Sequence, residues 1–195
     1  MHQVRFHGRG GQGVVAAAEM LSVAAFKEDR HAQAVPSFGS ERMGAPVVSY
    51  CRIDDRPIRL REPVLDPDVL IVQDPTLFGA IDVFSGLRPD GYVIINTGRS
   101  IDELEIEEAL SHLAPGHVAS VAATELALRY VKQPKPNAAL LGALAALTQI
   151  VAVESVRAAI AAKFPGEVGE ANVRAANAAY ELARAGASAS GQADA

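Results

Sequence analysis

The sequence predicts an α/β fold: a three-layer, Rossmann-like, mostly parallel sheet with a β-hairpin and a helical C-terminal half. Three observations predict it. A glycine-rich loop, GRGGQG at residues 8–13, separates a short apolar strand from an apolar helix. Short apolar runs then alternate with irregular stretches, as parallel strands joined by crossover connections do. After residue 124 only helical patterns remain, and they are broken at prolines.

The first elements surround the glycine loop. Residues 4–7 predict a strand, and residues 14–26 predict a helix that is apolar all round, as expected for a helix packed against a sheet. Residues 31–46, HAQAVPSFGSERMGAP, lack periodicity and predict a long loop. A loop of that length inside a compact domain is usually functional or disordered, and its mixture of aromatic, cationic and small residues argues against simple disorder.

The next elements predict a hairpin and three parallel strands. Residues 47–53 and 58–61 are predicted to form two strands joined by the turn Asp54-Asp55-Arg56-Pro57. Residues 69–72 form an apolar run typical of a strand buried on both faces, and Pro75 can occupy the first turn of a following helix. Residues 92–96 and 117–121 repeat the strand pattern, and residues 124–131, 137–151, 153–164 and 167–185 favour helix.

Length and composition predict one domain. The chain has 195 residues, 49% of them hydrophobic and 21% charged, so residues 1–186 are expected to fold as a single unit. Residues 187–195 are small and polar, and we expect a flexible C-terminal tail there. The net charge of −5 predicts neither a nucleic-acid nor a membrane partner. No signal peptide or bilayer-length apolar run is seen, which predicts a cytoplasmic protein.

The glycine loop is a candidate anion-binding site. Gly8, Gly10 and Gly13 fit the spacing G-x-G-x-x-G, and the free N–H groups at a helix start attract phosphate or carboxylate. The loop lacks the lysine and hydroxyl of a nucleotide-triphosphate loop. The alternative is that the glycines only allow the helix to pack closely on the sheet. Arg9 and Gln12 favour binding, because long polar side chains in such a loop are more useful toward a ligand or a neighbouring chain.

A dinucleotide-binding fingerprint is disfavoured. It requires an acidic residue at the tip of the second strand, about twenty residues after the loop, to hold a ribose. Glu28 and Asp29 lie near that distance, but they follow a helix rather than a strand. A second hypothesis nevertheless stays open at this point: the chain is a stand-alone Rossmann-type nucleotide-binding module without obligate partners.

Three segments together carry a family resemblance. GRGGQGVVAAAEMLSVAAF, HAQAVPSFGSERMGAPV and IDDRPIRLREPVLDPDVLIVQDPTL closely resemble the gamma subunit, or gamma domain, of the 2-oxoacid:ferredoxin oxidoreductases, of which pyruvate:ferredoxin oxidoreductase is typical. The resemblance continues through GYVIINT and NAALLGALAAL and covers roughly residues 4 to 165.

The resemblance implies a subunit without a complete active site. Enzymes of this family decarboxylate a 2-oxoacid on thiamine pyrophosphate with Mg, pass electrons through [4Fe-4S] clusters and usually release an acyl-CoA. It implies thiamine-binding alpha and beta subunits, a ferredoxin-like delta subunit, and ferredoxin or an NAD-linked flavin subunit as acceptor. Pyruvate, 2-oxoglutarate, branched-chain and aryl 2-oxoacids all remain possible substrates. The single cysteine, Cys51, cannot hold a cluster by itself.

The resemblance also implies site residues. The gamma region lies against the thiamine-binding subunits and helps to form the coenzyme A channel. The loop residues expected at coenzyme A or at the active-site interface are Gly8, Arg9, Gly10, Gly11, Gln12 and Gly13, with Arg9 as a candidate phosphate contact. The residues expected to line the channel or the interface are His31, Ser37, Phe38, Gly39, Glu41, Arg42 and Gly44.

Other polar residues receive structural interpretations. His7, at a strand end, is expected to be a hydrogen-bonded structural residue rather than a proton carrier. Asp54 and Asp55 are expected to be turn residues rather than a metal pair, and Asp74 a helix cap. Cys51 is expected to be a small buried residue within a strand.

Overall fold

The computed structural model describes residues 1–36 and 43–192, with side chains to residue 187. Within them, six strands form one sheet in the order β2-β3-β1-β4-β5-β6. The strands are β1 His2–Arg9, β2 His31–Pro36, β3 Pro46–Asp54, β4 Val69–Val72, β5 Tyr92–Asn96 and β6 Val118–Val121. The helices are α1 Val14–Phe26, α2 Glu107–Leu110, α3 Ala123–Val131, α4 Asn137–Thr148, α5 Val153–Lys163 and α6 Gly166–Gln192, with 3-10 turns at Pro75–Leu77 and Asp102–Leu104.

The sheet is mixed. β1, β4, β5 and β6 run parallel, whereas β3 is antiparallel to both of its neighbours, β1 and β2. The chain leaves β1 toward the β2–β3 side and later returns to β4 on the other side of β1. The order of strands therefore reverses between β1 and β4, and open α/β sheets bind ligands beyond the carboxyl ends of strands at such a point.

Two apolar cores lie on the two faces of the sheet. Phe6, Ile71 and Ile94 point into the larger core with α1, α4, α5 and α6. The alternate residues Leu70 and Val93 point into the smaller core on the opposite face, which 3-10 turns and α2 cover. The central strands are thus buried on both faces, which explains their continuous apolar runs, and the three-layer α/β prediction is confirmed.

Buried arginines hold irregular segments over the smaller core. The Arg5 guanidinium donates to the carbonyl oxygens of Val64 (3.4 Å), Leu65 (3.2 Å) and Val83 (3.0 Å). Arg52 likewise donates to the carbonyl of Glu62 at 2.7 Å. Segments without regular structure leave carbonyl groups unpaired, and each buried carbonyl needs a donor. The two guanidinium groups supply several donors at once.

Most predicted elements are confirmed. The bounds of α1, β4 and β5 match the predicted ones, and those of β1, β3, β6, α3, α4 and α5 lie within a few residues of theirs. Pro75 begins a 3-10 turn that Asp74 caps by accepting a hydrogen bond from the Thr76 N–H, as predicted. The last helix continues to Gln192, beyond the predicted end at residue 185. A flexible tail over residues 187–195 stays a prediction.

Two predictions about the β2–β3 region were wrong. The predicted long loop begins with strand β2, which pairs along β3. The predicted strand at residues 58–61 does not form, so the hairpin-like pair is β2–β3 instead. The reason is geometric, because β1 and β2 already occupy both edges of β3 and leave no free edge for a returning strand.

The helical layer depends on a close approach of α4 to α6. A Cβ atom at Gly142 would lie 2.0 Å from the Ala176 carbonyl oxygen. α4 is apolar all round because it is enclosed by the sheet on one side and α6 on the other.

Gly142→Ala should therefore separate the two helices and lower the free energy of unfolding by about 3 kcal/mol, the upper part of the range for overpacking. Urea unfolding followed by circular dichroism measures this. The control is Gly186→Ala in α6, where an added Cβ meets nothing within 4 Å. That variant should be between neutral and about 1 kcal/mol more stable. Equal stability of both variants would contradict the close-packing argument.

Candidate functional site

The glycine loop connects β1 to α1 at the switch point. Gly11 and Gly13 have positive φ angles of 96° and 77°, which glycine adopts without strain. Gly13 is the N-cap of α1 and has no side chain to cap it. A Cβ at Gly13 would lie 2.5 Å from Nδ2 of Asn137, so α4 packs directly against the loop. The loop thus needs glycine both for its backbone conformation and for its contact with α4.

The polar side chains of the loop bind to the end of β4. Gln12 Oε1 accepts a hydrogen bond from the Arg9 N–H at 2.8 Å, and Gln12 Nε2 donates to Asp74 Oδ2 at 2.8 Å. Arg9 forms an ion pair with Asp74 at 3.2 Å and donates to Thr76 Oγ1 at 2.7 Å. Gln12, Arg9, Asp74 and Thr76, here called the loop brace, fix the loop across the β1–β4 crevice.

Asp74 is the centre of the loop brace. Its side chain is 14% exposed, and burial by itself would raise its pKa. The hydrogen bonds from Thr76 and Gln12 and the charge of Arg9 outweigh burial and lower the pKa below the ordinary value of 3.8. The carboxylate is therefore charged at neutral pH and holds the loop by charge-assisted hydrogen bonds.

The brace changes the interpretation of Arg9 and Gln12. Sequence reasoning expected both side chains to point at a ligand or a neighbouring chain, but in the folded chain they bind Asp74 and Thr76. Arg9 also donates to the Gly44 carbonyl at 3.1 Å and lines a cavity beside the loop. A ligand contact by Arg9 stays a prediction, and its observed contacts are structural.

The end of the predicted long loop, residues 44 and 45, meets the glycine loop. The Gly44 N–H donates to the Gly10 carbonyl at 3.1 Å, and the Gly10 N–H donates to the Ala45 carbonyl at 2.9 Å. Gly44 has a φ of 79°. The structure thus places Gly44 beside the glycine loop, and its role in a channel or interface stays a prediction. Five further predicted channel residues lie outside the described residues: Ser37, Phe38, Gly39, Glu41 and Arg42.

His31 does not join the site. It begins β2 and pairs in register with Asp54, whereas Arg9 pairs with Pro46 at the opposite end of β3. The eight residue steps between these positions on β3 correspond to roughly 27 Å along a strand. His31 is exposed and can only contact a molecule at the far end of the sheet.

A cavity of about 300 Å³ lies beside the glycine loop. One wall is the loop itself and the first turn of α1, and the other comes from the residues before α4 and the end of α5. The lining residues are Arg9, Gly10, Gly11, Gly13, Val14, Val15, Ala16, Val47, Lys135, Asn137, Lys163 and Phe164.

The cavity combines backbone hydrogen-bond donors and cationic side chains with apolar lining residues. The N–H groups of Val14, Val15 and Ala16 donate to no acceptor within the described part of the chain. Lys135 is exposed and forms no ion pair with any described residue, whereas Lys163 pairs with Glu19 at 2.7 Å. Helix N-termini and lysines both attract anions, so the cavity can hold a phosphate group.

Sequence reasoning missed Lys135, Asn137 and Lys163. Lys163 is brought to the loop only by the packing of α5, which no local pattern reveals. Residues 133–137 have the sequence Q-P-K-P-N, and the two prolines, Pro134 and Pro136, fix the backbone around Lys135. That rigidity was an available signal for a positioned cation.

His7 lies next to the loop but is not part of the cavity. It is 5% exposed, and neither ring nitrogen has a hydrogen-bond partner among the described residues. Burial, with a smaller effect of Arg5, lowers its pKa to about 4, so the ring is neutral at pH 7. The prediction that His7 is hydrogen-bonded was therefore wrong. Its ring is instead held in place by burial.

Other candidates have structural roles. Glu28 Oε1 accepts a hydrogen bond from the Ala152 N–H at 2.7 Å at the start of α5, so it does not face a ribose site. Asp54 accepts from the Arg56 N–H within the turn, as predicted, and Cys51 is fully buried, which raises its pKa. Within the described residues, no group of three or more His, Cys, Asp or Glu side chains is placed to hold a metal ion.

None of the helices in residues 1–36 and 43–192 has both the length and the apolar character needed to cross a bilayer.

Asp74→Asn tests the loop brace. Because the folded-state pKa of Asp74 is depressed, its carboxylate stabilises the fold above pH 3.8, and this contribution is lost as pH falls through the folded-state pKa. The variant should lose about 2 kcal/mol of unfolding free energy at pH 7. Urea unfolding between pH 3 and pH 7 checks this.

The difference between wild type and Asp74→Asn should shrink toward acid pH. Asp90→Asn, at an exposed turn position, is the matched control and should leave stability unchanged. A difference that is independent of pH would refute the role of the Asp74 charge.

The sequence is similar to those of known proteins. The chain matches the family described as "Pyruvate ferredoxin/flavodoxin oxidoreductase" over residues 3–182. It is 49% identical over 181 residues to the pyruvate/ketoisovalerate oxidoreductases common subunit gamma of Pyrococcus furiosus, covering 93% of this chain and 96% of that protein.

Solved structures share the fold. The crystal structure of pyruvate oxidoreductase subunit PORC from Thermotoga maritima superposes with a TM-score of 0.80 at 36% identity, over 93% of this chain and 96% of that one. A 2-oxoglutarate:ferredoxin oxidoreductase from Magnetococcus marinus, solved with 2-oxoglutarate, coenzyme A and succinyl-CoA bound, gives a TM-score of 0.70 at 18% identity. That similarity covers 94% of this chain and 31% of the other, and it concerns the fold alone.

Proposed function

Because the chain belongs to the pyruvate ferredoxin/flavodoxin oxidoreductase family as a gamma-type subunit, we propose that it serves oxidative decarboxylation of a 2-oxoacid by lining the coenzyme A site. The observation that carries the proposal is the cavity beside the glycine loop. It is lined by Lys135, by Lys163 and by the first turn of α1, whose N–H groups have no acceptor among the described residues. The chain would act as a scaffold and substrate-binding wall, with the reaction centre on its partners.

The chemistry of coenzyme A suits this cavity. The molecule carries a pyrophosphate and a ribose phosphate at one end and its reactive thiol at the other. Backbone N–H groups at a helix N-terminus bind phosphate oxygens, and a lysine adds a positive charge without demanding one geometry. Phe164 offers an aromatic surface on the same wall. Holding the phosphate end here would leave the thiol free to extend toward a partner subunit.

We infer that the other parts of the reaction lie on other chains. Thiamine pyrophosphate and Mg would be held by alpha and beta subunits, and [4Fe-4S] clusters by a ferredoxin-like delta subunit. A cluster needs several thiolates, and this chain has only Cys51, whose pKa burial raises. Ferredoxin or an NAD-linked flavin subunit would accept the electrons, and we place the whole complex in the cytoplasm.

Within the site, each part of the chain has a separate task. The loop brace holds the backbone in position by binding Arg9 and Gln12 to Asp74. The glycines leave room for a ligand to approach the backbone. Lys135, which has no ion pair among the described residues, is the side chain best placed to recognise phosphate.

Lys135→Ala tests the assignment of the cavity. Loss of one charge-assisted contact to phosphate should raise the KM for coenzyme A about tenfold in the assembled enzyme, with kcat and thiamine content unchanged. Steady-state kinetics against coenzyme A measure this. The matched control is Lys132→Ala, a nearby exposed lysine whose Nζ binds the Arg129 carbonyl and which does not line the cavity. Loss of thiamine with normal coenzyme A kinetics would refute the placement.

Arg9→Ala tests the brace in the assembled enzyme. Removing the guanidinium breaks its contacts with Thr76 and Asp74 and loosens the glycine loop. We expect weaker use of coenzyme A and unchanged thiamine content. Thr76→Ser keeps the hydroxyl that accepts from Arg9 and should retain normal kinetics.

The rival function makes a different prediction. A stand-alone nucleotide-binding module would bind a nucleotide as an isolated chain and would not require partner subunits. Tight binding of NAD or AMP to the isolated chain, with no association with thiamine-binding subunits, would replace the present proposal.

A further inference from the structure

The chain between β3 and β4 contains an exposed stretch with the sequence RPIRLR, residues 56–61, here called the 56–61 segment. It belongs to no helix or strand, and residues 57–61 contain no turn or bend. Its residues alternate between apolar Ile58 and Leu60 and cationic Arg59 and Arg61. This period of two is the pattern of a β-strand with one apolar face.

The backbone of the 56–61 segment is unpaired within the chain. No N–H or C=O group of residues 57–61 takes part in a backbone hydrogen bond with any described residue. Leu60 is 44% exposed, and Leu65 beyond it is 72% exposed. A strand-like stretch with free backbone groups and exposed apolar side chains is a template for pairing with another chain.

The charge of the segment is also uncompensated. Arg56, Arg59 and Arg61 form no ion pair with a described residue. The preceding acids are engaged elsewhere, since Asp54 contacts the amino terminus at 3.4 Å and Asp55 contacts Arg30 at 3.1 Å. The segment is thus a basic patch on a chain whose net charge is −5.

Pairing within this chain or with a second copy is disfavoured. Both edges of β3 are occupied by β1 and β2. Two copies paired in any register that places their apolar side chains together would also place arginines across from arginines, and like charges in cross-strand positions are destabilising. A complementary strand must instead carry acidic side chains.

We propose that the 56–61 segment pairs through its backbone with an extended, acidic segment of a partner subunit of the oxidoreductase. This rests on the proposed function, because it requires an obligate partner. Backbone hydrogen bonds would supply affinity, Ile58 and Leu60 would cover apolar surface, and the arginines would fix register and orientation. The segment lies beyond the end of β3 at Asp54, opposite to the end where Arg9 pairs with Pro46.

Hydrogen exchange of the assembled complex and of the isolated chain tests the pairing. In the isolated chain, the amides of residues 58–61 should exchange without protection. In the complex, one alternate pair, either 58 and 60 or 59 and 61, should slow by about 100-fold or more, because only one edge of a strand faces its partner. Four unprotected amides in the complex would overturn the proposal. Protection already present in the isolated chain at high concentration would assign the segment to self-association and also overturn it.

Substitution tests the chemistry of the partner. Arg56→Glu, Arg59→Glu and Arg61→Glu combined should weaken assembly by about 100-fold, and wild-type assembly should weaken as salt is raised. The control combines Arg129→Glu in α3, Lys132→Glu just after α3 and Arg174→Glu in α6. It changes the charge by the same amount and should assemble normally. Equal effects of both triple variants would show a general charge effect and refute the specific surface.

A proline pair tests the backbone contact separately. Arg59→Pro and Leu60→Pro each remove one N–H that has no acceptor in the described chain, so neither should alter the fold. One of them should weaken assembly about tenfold more than the other, because neighbouring N–H groups point to opposite edges. Equal assembly of both would overturn backbone pairing. If backbone pairing fails while Lys135→Ala still raises the KM for coenzyme A about tenfold, the coenzyme A assignment stands, so the two proposals fail separately.

Discussion

The Asp74 carboxylate is the interaction on which the site depends. It lies where β4 ends, across the crevice from the end of β1, and it binds side chains from both sides of that crevice. Glycine loops are intrinsically costly to order because glycine has the largest backbone freedom. By engaging Gln12 and Arg9, Asp74 fixes the loop through side chains and leaves the backbone N–H groups at the start of α1 available. The same constraint explains why long polar residues occur within a loop of glycines.

The helical layer supplies the other half of the site. α4 approaches α6 closely because Gly142 has no side chain, and the start of α4 lies against the loop through Asn137 and Gly13. This packing places Lys135 and the end of α5 opposite the start of α1. The cavity is therefore a product of tertiary structure: its donors come from three separated parts of the chain, and the close packing of small residues determines their spacing.

Features that depend on local interactions were predicted from the sequence, whereas features that depend on contacts between distant parts of the chain were not. β4 and β5 were predicted to the residue because burial on both faces dictates a continuous apolar run, and α1 because its glycine N-cap and apolar sequence are local. Residues 58–61 have strand character, yet whether a strand forms depends on a free edge of β3, which is a property of the whole sheet. β2 was not predicted, because its residues, HAQAVP, alternate only weakly between apolar and polar. It forms a strand because it pairs with β3. The family resemblance named Gly44 and the glycine loop as site residues, and the contact between them comes from the pairing of β1 with β3. Lys135 and Lys163 could be placed only by the packing of helices.

The sheet also separates the proposed ligand cavity from the proposed assembly surface. Because β3 runs antiparallel to β1, the turn after Asp54 lies at the end of the sheet opposite to the glycine loop. The two cationic features of the chain, the cavity lysines and the arginines after β3, are thus separated by about the length of a strand, roughly 27 Å. Screening at physiological salt acts over about 8 Å, so neither charge cluster perturbs the other through solvent. A chain built in this way can be bound at one end of its sheet while a ligand enters and leaves at the other.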